Sequence, residues 1–333
     1  MNDLLPIKLS ANAVSLLRCP ICQGNLRVSD KGCICLRSTC RESYPVVRGV
    51  PILFSNQGSV LSYRNDYNNN PTIWRKIRQI VKKNIPVLIL NVGGGHAIGR
   101  VIEALSERTQ SPVILNIGEI HVEPIIGPVL VAIRQVDNAT VIEADCALGP
   151  GANLIIDWSV IPLLSGTVDA VVIDTGLEHV QYPHKVILEV HRVLKDDGLI
   201  YVDMPFMMPV HAGAKDFSRL SSAGLRGLLH DFEEIERGIS FGPAVALSNM
   251  LEYFLVGLTL RKSARFLIRA TCRLTLFWIK YIDLLLVHQL GAMDAAGGTY
   301  FVGRKSRKRA THDEITASYL GAVTSMYEPL NRK

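Results

Sequence analysis

Three groups of residues in this 333-residue chain have types and spacing that could do chemistry. Cys19-Pro-Ile-Cys22, followed by Cys33, Cys35 and Cys40, gives two thiol pairs on either side of a turn-rich stretch holding Gly24, Asp30 and Gly32. A structural zinc wants four such thiolates in a tetrahedron, and each close pair can come from one tight turn. The ligand set read here is Cys19, Cys22, Cys35 and Cys40, with Cys33 as the alternative to Cys35 because the exchange hardly alters the loop. Four protein ligands leave no open position, so this metal is structural. The second group, Asp174, Glu178 and His179, follows directly after the apolar run Val171-Val172-Ile173. The third is His211, Asp216 and Arg219. An imidazole with an ordinary pKa of about 6.5 is suited to taking a proton from a bound hydroxyl or amine, which makes His211 and His179 candidates for that work or for structural roles. Asp216 and Arg219, three residues apart, are a surface ion pair or polar groups of a ligand site.

The elements that must position these groups are legible around them. Val168 to Phe206 reads as one β-α-β unit: a strand apolar on both faces, a polar turn, a helix opened by Pro183, a turn at Asp197-Gly198, and the strand Leu199 to Val202. Ligands of open α/β sheets bind beyond the carboxyl ends of such strands, where Asp174, Glu178 and His179 fall. Upstream, Ile85 to Val92 predicts a buried first strand opening into Gly93-Gly94-Gly95-His96-Ala97 and a helix from about Gly99 to Arg108, an arrangement that brings backbone amides to a cofactor. The loop lacks the G-x-G-x-x-G spacing of nicotinamide sites. Thr140 to Asp145 and Leu154 to Asp157 are short strands ending in acids. In a nucleoside-binding sheet the acid closing the second strand accepts hydrogen bonds from the ribose diol; Asp145 takes that role here, with Asp157 and Trp158 near the base. A competing register makes Val113 to Ile117 the second strand and Glu119 the ribose ligand.

Composition bounds the rest. An apolar fraction of 48% excludes a disordered chain, and a formal charge of +6 permits an acidic partner without requiring one. The first residues lack a basic stretch followed by an unbroken apolar run, so a cytoplasmic setting is expected, where thiols serve as metal ligands rather than disulfides. No window gives the roughly 20 apolar residues of a membrane span; Leu274 to Leu290 is broken by Lys280 and Asp283 and reads as a buried or interfacial helix. Phe232 to Ser240 and Thr299 to Val302 read as an antiparallel pair closing the sheet, with Pro243 to Gly298 a helical insertion roofing its carboxyl edge. Arg261, Arg265, Arg269 and Arg273 recur every four residues along one helix face, either solvated or meeting phosphates of RNA or of anionic lipid head groups; the basic run Arg304 to Arg309 has the same two readings.

From Leu88 to Arg304 the chain resembles the class I S-adenosylmethionine-dependent methyltransferases of the type-11-like group. The matching stretches are Asn91-Val-Gly-Gly-Gly95, Leu177-Glu178-His179-Val180, Arg192-Val-Leu-Lys195, Pro205-Phe206, His211, Asp216-Phe-Ser-Arg219 and Tyr300-Phe-Val-Gly-Arg304. Leu16 to Phe54, with CPxC, the second cysteine pair and a YPVVRGVPILF tail, resembles the small zinc-ribbon proteins that activate methyltransferases. The resemblance implies an α/β fold with a Rossmann-like seven-stranded methyltransferase sheet, an N-terminal zinc ribbon (1–55), a linker (56–70), a methyltransferase domain (71–310) with its insertion (243–298), and a tail (311–333). It implies S-adenosylmethionine and structural zinc as cofactors, with Asn91, Gly93, Gly94 and Gly95 on the methionine side. Asp145, Asp157, Trp158 and Asp174 complete that site, and Glu178 orders the loop around the cofactor. His211, His179, Asp216 and Arg219 face the acceptor, which is a small molecule, a glycan or a lipid-linked group. The alternatives are an rRNA or tRNA methyltransferase and an inactive adaptor recruiting a protein partner through the ribbon. Asn91, where many relatives carry an acid, and Ala97, in place of a third glycine, favour the latter.

Overall fold

A computed structural model describes residues 5–54, 64–65, 85–118, 128–149 and 151–322. Its strands are β1 (Leu26–Ser29), β2 (Gly32–Cys35), β3 (Ser43–Tyr44), β4 (Val46–Val47), β5 (Val50–Leu53), β6 (Arg64–Asn65), β7 (Val113–Ile117), β8 (Thr140–Asp145), β9 (Ala147–Leu148), β10 (Leu154–Ile156), β11 (Val168–Asp174), β12 (Leu194–Pro205), β13 (Phe232–Phe241) and β14 (Gly298–Lys305). The main sheet runs β13-β14-β12-β11-β7-β8-β10-β5-β4. Strands β12, β11, β7, β8, β10 and β5 are parallel, and β14 and β13 continue antiparallel beside β12. This is an open, mostly parallel Rossmann-like sheet, extended at one edge by β5 and β4. The expected closing pair is β13 and β14, each slightly longer than its apolar run suggests.

The first-strand expectation is corrected. Ile85 to Val92 is not a central strand; among the described residues it meets the sheet only through Asn91, bridged to Phe241, and Val92, whose N–H donates to Ser240 O at 2.8 Å. The place beside β11 belongs to β7, all five of whose residues are buried. A central parallel strand must be apolar on both faces. Val113-Ile-Leu-Asn-Ile117 is covered that way, whereas Ile89 in the earlier run is exposed. Thr140–Asp145 then occupies the neighbouring position, and Asp145 closes it. Glu119, the other ribose candidate, lies outside the described residues, as do most of the linker at 56–70 and residues 323–333 of the tail.

The N-terminal module is built into the sheet. Its tail strand β5 pairs in parallel with β10, Ile52 opposite Ile155 and Leu53 opposite Ile156. Leu17 bridges Leu163, the Arg18 N–H donates to Pro162 O at 2.8 Å, and the Leu164 N–H donates to Leu16 O at 2.9 Å. Leu17, Cys19, Cys35, Tyr44 and Leu53 share one apolar cluster with Leu154, Ile156, Trp158 and Ile173.

The insertion is helical as expected. Label α1 covers Ala11–Leu16, α2 Gly94–Ser106, α3 Pro128–Arg134, α4 Pro183–Val193, α5 Ser222–Leu228, α6 Pro243–Gly257 and α7 Lys262–Leu276. No helix among the described residues is long and apolar enough to cross a membrane. The two charges that interrupt Leu274 to Leu290 are buried and used: Lys280 Nζ donates to Val87 O at 2.9 Å, and the Asp283 carboxylate accepts the Ala244 and Val245 N–H groups at 2.8 and 2.9 Å, capping α6. A carboxylate there also meets the positive end of the helix dipole. Asp283→Ala should therefore lower stability by about 2 kcal/mol, the upper end for a lost cap, with Asp283→Asn losing less. Thermal melts of the two variants check this.

Candidate active site

The carboxyl ends of β11 and β12 carry a row of acids. Asp174 lies opposite Asp203 in the parallel register, and Glu178 follows on the short 3-10 turn Leu177–His179. Burial, and then the charge of Glu178, push the Asp174 carboxyl up to about 6. Burial raises Asp203 well above the ordinary carboxyl range, although Ser240 Oγ donates to it at 2.6 Å. Asp203 also accepts from Asn91 Nδ2 at 3.3 Å, while Asn91 Oδ1 accepts the Gly94 N–H at 2.7 Å and so caps α2.

These contacts relocate the glycine loop. Gly94 and Gly95 are in the first turn of α2, and a β-carbon on Gly93 would come 2.3 Å from Ile239 O and 2.7 Å from the Tyr300 ring. One on Gly94 would meet Asn91 and the Tyr201 hydroxyl at 2.6 Å. Asn91, Gly93 and Gly94 are thus packed between β13, β14 and Asp203, with Gly95 next in the same helical turn. The glycine that follows the central strand is Gly118. Among the described residues, a β-carbon there would meet only the Asp174 and Thr175 carbonyls, at 3.7 and 3.6 Å. Sequence reasoning missed it; the signal was the single Gly after Val113-Ile-Leu-Asn-Ile117, obscured by the triplet upstream.

Asp145 is fully buried, and its Oδ1 accepts the Ala147 N–H at 3.0 Å. Asp157 Oδ1 accepts the N–H and hydroxyl of Ser159. Trp158 is buried, and its ring lies 3.1 Å from where a β-carbon of Gly176 would stand. Gly176 has φ +135°, which a side chain would strain.

The structure brings the remaining candidates into one cluster. Glu178 Oε2 accepts the Gly176 N–H at 2.7 Å, ordering the turn after β11. The Nε2 atoms of His179 and His211 are 3.2 Å apart, and each is 3.7 Å from Glu178 Oε1. His179 Nδ1 lies 2.9 Å from Lys215 O, so that nitrogen carries the proton donated to the carbonyl. His211 Nδ1 lies 3.4 Å from Asp216 Oδ2, the same oxygen that accepts the His211 N–H at 2.9 Å. Arg219 grips Asp216 through both its terminal nitrogens. Burial opposes ionisation of Asp216, but the Arg219 and His211 contacts outweigh it and hold the carboxyl at about 2. The pair is built in rather than a loose surface contact.

Glu178 and His211 stand in the wall of a cavity of about 1230 Å³ beneath the insertion. Across it lie Lys262, Arg265, Arg269 and Arg273 of α7. Three of the four periodic arginines therefore line the cavity while staying partly open to solvent. Glu252 ion-pairs with Arg269 and Arg273, at 3.6 and 3.1 Å. The C-terminal basic run is instead occupied locally: Arg307 with Asp196, Lys308 with Glu314 and Arg309 with Asp231.

In the N-terminal module the Sγ atoms of Cys19, Cys22, Cys35 and Cys40 all lie within 4.8 Å of one another. Cys33 stands outside that group, fully buried opposite Tyr44 on β3, and burial pushes its thiol up to about 11. A β-carbon on Gly24 would come 3.2 Å from Cys22 Sγ, so the residue after the first thiol pair has little room for a side chain.

Residues 137–202, from just before β8 into β12, match the methyltransferase domain family. No curated protein matches the chain. Among solved structures, it is similar to a phosphoethanolamine N-methyltransferase of Haemonchus contortus, with S-adenosylhomocysteine bound (13% identity, 65% of this chain and 54% of that one, TM-score 0.40). It thus spans about half the length of that protein. A sarcosine dimethylglycine methyltransferase of Galdieria sulphuraria shares 14% identity over 70% of this chain and 97% of its own, with TM-score 0.40. A Haloferax volcanii complex of a methyltransferase with its activator gives 15% identity over 64% and 91%, with TM-score 0.39.

Proposed function

We propose that this chain, a methyltransferase that uses S-adenosylmethionine, moves the methyl group onto an anionic, lipid-linked acceptor held beneath its helical roof. The observation that carries the acceptor class is the cavity itself, with Glu178 and His211 on the sheet side and Lys262, Arg265, Arg269 and Arg273 on the roof side. Lys262 and Arg265 have no ion-pair partner among the described residues, so two cations face the space without a compensating acid. The helical roof exposes Leu247, Phe254, Leu258, Leu260, Leu267 and Leu285. Apolar side chains beside cavity-lining arginines suit a surface that lies against lipid head groups.

The cofactor supplies a sulfonium methyl carbon open to in-line displacement, so the protein's part is to bind, align and exclude water. In this reading the ligand lies at the strand ends beside Gly118, Asp174 and the Glu178-ordered turn edge it, and Asp145, closing β8, takes the ribose diol. His211, half exposed to the cavity and held by Asp216 and Arg219, faces the acceptor. Cys19, Cys22, Cys35 and Cys40 hold a structural zinc, for which four converging sulfurs are the right donor set.

Flotation with vesicles of neutral or anionic phospholipid, together with calorimetry using S-adenosylmethionine, tests the reading. The expected result is cofactor binding, salt-sensitive attachment to anionic vesicles, and attachment weakened about tenfold or more by Arg265→Glu with cofactor affinity unchanged. Methyl transfer to RNA without vesicle binding would replace the lipid acceptor with a nucleic acid.

A further inference from the structure

We propose that Glu178, His179 and His211 bind a divalent transition-metal cation in the cavity wall, distinct from the cysteine site. Three donor atoms converge there: His179 Nε2 and His211 Nε2 at 3.2 Å, each 3.7 Å from Glu178 Oε1. Donors bound at about 2.0–2.1 Å to one tetrahedral ion lie about 3.3–3.4 Å apart, so the observed triangle needs only small side-chain movements to become three ligands of one ion. Glu178 Oε1 is the decisive atom. The residue is only 1% exposed, its other oxygen is committed to the Gly176 N–H, and among the described residues Oε1 accepts no hydrogen bond. A buried carboxylate oxygen without a donor is costly unless a cation meets it.

The tautomer of His179 agrees. Because His179 Nδ1 donates to the Lys215 carbonyl, its Nε2 carries a lone pair aimed at the Glu178–His211 side. His211 Nδ1 lies 3.4 Å from both Asp216 Oδ2 and Arg219 Nη2, and Arg219 fixes that carboxylate. A carbonyl behind one imidazole and a carboxylate behind the other are the supports that orient metal-binding histidines. Two histidines and one carboxylate leave coordination positions open, and the cavity lies on that side. An acceptor hydroxyl or phosphate oxygen would fill them. That last step rests on the methyl-transfer reading; the cation site does not.

The test uses the full chain with zinc in its cysteine module, titrated with Co²⁺ in the absence of S-adenosylmethionine. Cobalt on cysteines shows thiolate charge-transfer absorption, so exchange into the ribbon is seen separately. One further equivalent, with ligand-field bands and no charge transfer, is expected. Glu178→Gln keeps an acceptor for the Gly176 N–H, and His211→Ala removes a half-exposed ring, so both should fold. Each should weaken cobalt binding at least about 100-fold, and Asp216→Asn, a positioning change, about 10-fold. Absence of the extra equivalent overturns the proposal, because the two imidazoles then share a proton instead of a metal. Cobalt affinity unchanged in both ligand variants overturns it equally. Cofactor affinity measured in the same samples reports on the methyltransferase reading independently.

Discussion

Stripping the metal from the cysteine module is expected to unfold the entire chain in one transition, not to melt a separate N-terminal domain. The reason is the shared sheet. Strand β5 pairs with β10, and β10 pairs with β8. Leu17, Cys19 and Tyr44 belong to the same cluster as Leu154, Trp158 and Ile173. Release of the four sulfurs would leave β5 without its support and expose the edge of β10 with which it pairs. A structural zinc contributes an apparent 10–16 kcal/mol, roughly the whole stability of an ordinary domain at about 5–15 kcal/mol. Cys22→Ser should have a similar effect, and Cys33→Ser, outside the sulfur cluster, far less. Calorimetric scans with and without chelator check the point. A methyltransferase transition that survives chelation at an unchanged Tm would show that the ribbon is an appendage.

The second large effect separates two glycines. Gly93→Val should abolish folding, because its β-carbon would be driven 2.3 Å from the Ile239 carbonyl in the adjoining strand and into Tyr300. Overpacking and backbone displacement of that kind cost more than about 3 kcal/mol. Among the described residues, Gly118→Val meets only carbonyl oxygens at 3.6 and 3.7 Å, and it has no positive φ to strain. Its Tm should shift little, while the added methyls fill the space at the strand ends where the cofactor is proposed to lie. S-adenosylmethionine affinity should fall at least about 100-fold, close to 3 kcal/mol. If Gly118→Val binds the cofactor normally, the cofactor lies elsewhere, and the assignment of β7 as its strand loses its functional meaning.

The contrast between those glycines shows where reading residues in order succeeds. The β-α-β unit around Val171 to Val202 was plain because its signals are local: a both-face apolar run, Pro183 at a helix start, and apolar residues at helical spacing. The sulfur cluster was plain for the same reason, since two tight turns carry the thiol pairs. His179 and Glu178 were placed at a strand end by a few residues of sequence. The helical insertion also announced itself, although the roles of Lys280 and Asp283 did not. Charges that merely interrupt an apolar run in sequence became, on folding, a carbonyl ligand and a helix cap.

Local patterning assigns each segment its type, and composition with spacing points to a metal-bound ribbon joined to a cofactor-binding α/β sheet. It does not say which apolar run lies beside β11, because strand pairing is a competition among distant segments for a position covered on both faces. Val113–Ile117 wins that position over Ile85 to Val92 only when all of them are packed together. Folding likewise chose Cys35 over Cys33, lined a cavity with three arginines and brought His211 to His179 across 32 residues. Each of these outcomes depends on distances between side chains far apart in the chain, which no periodicity encodes.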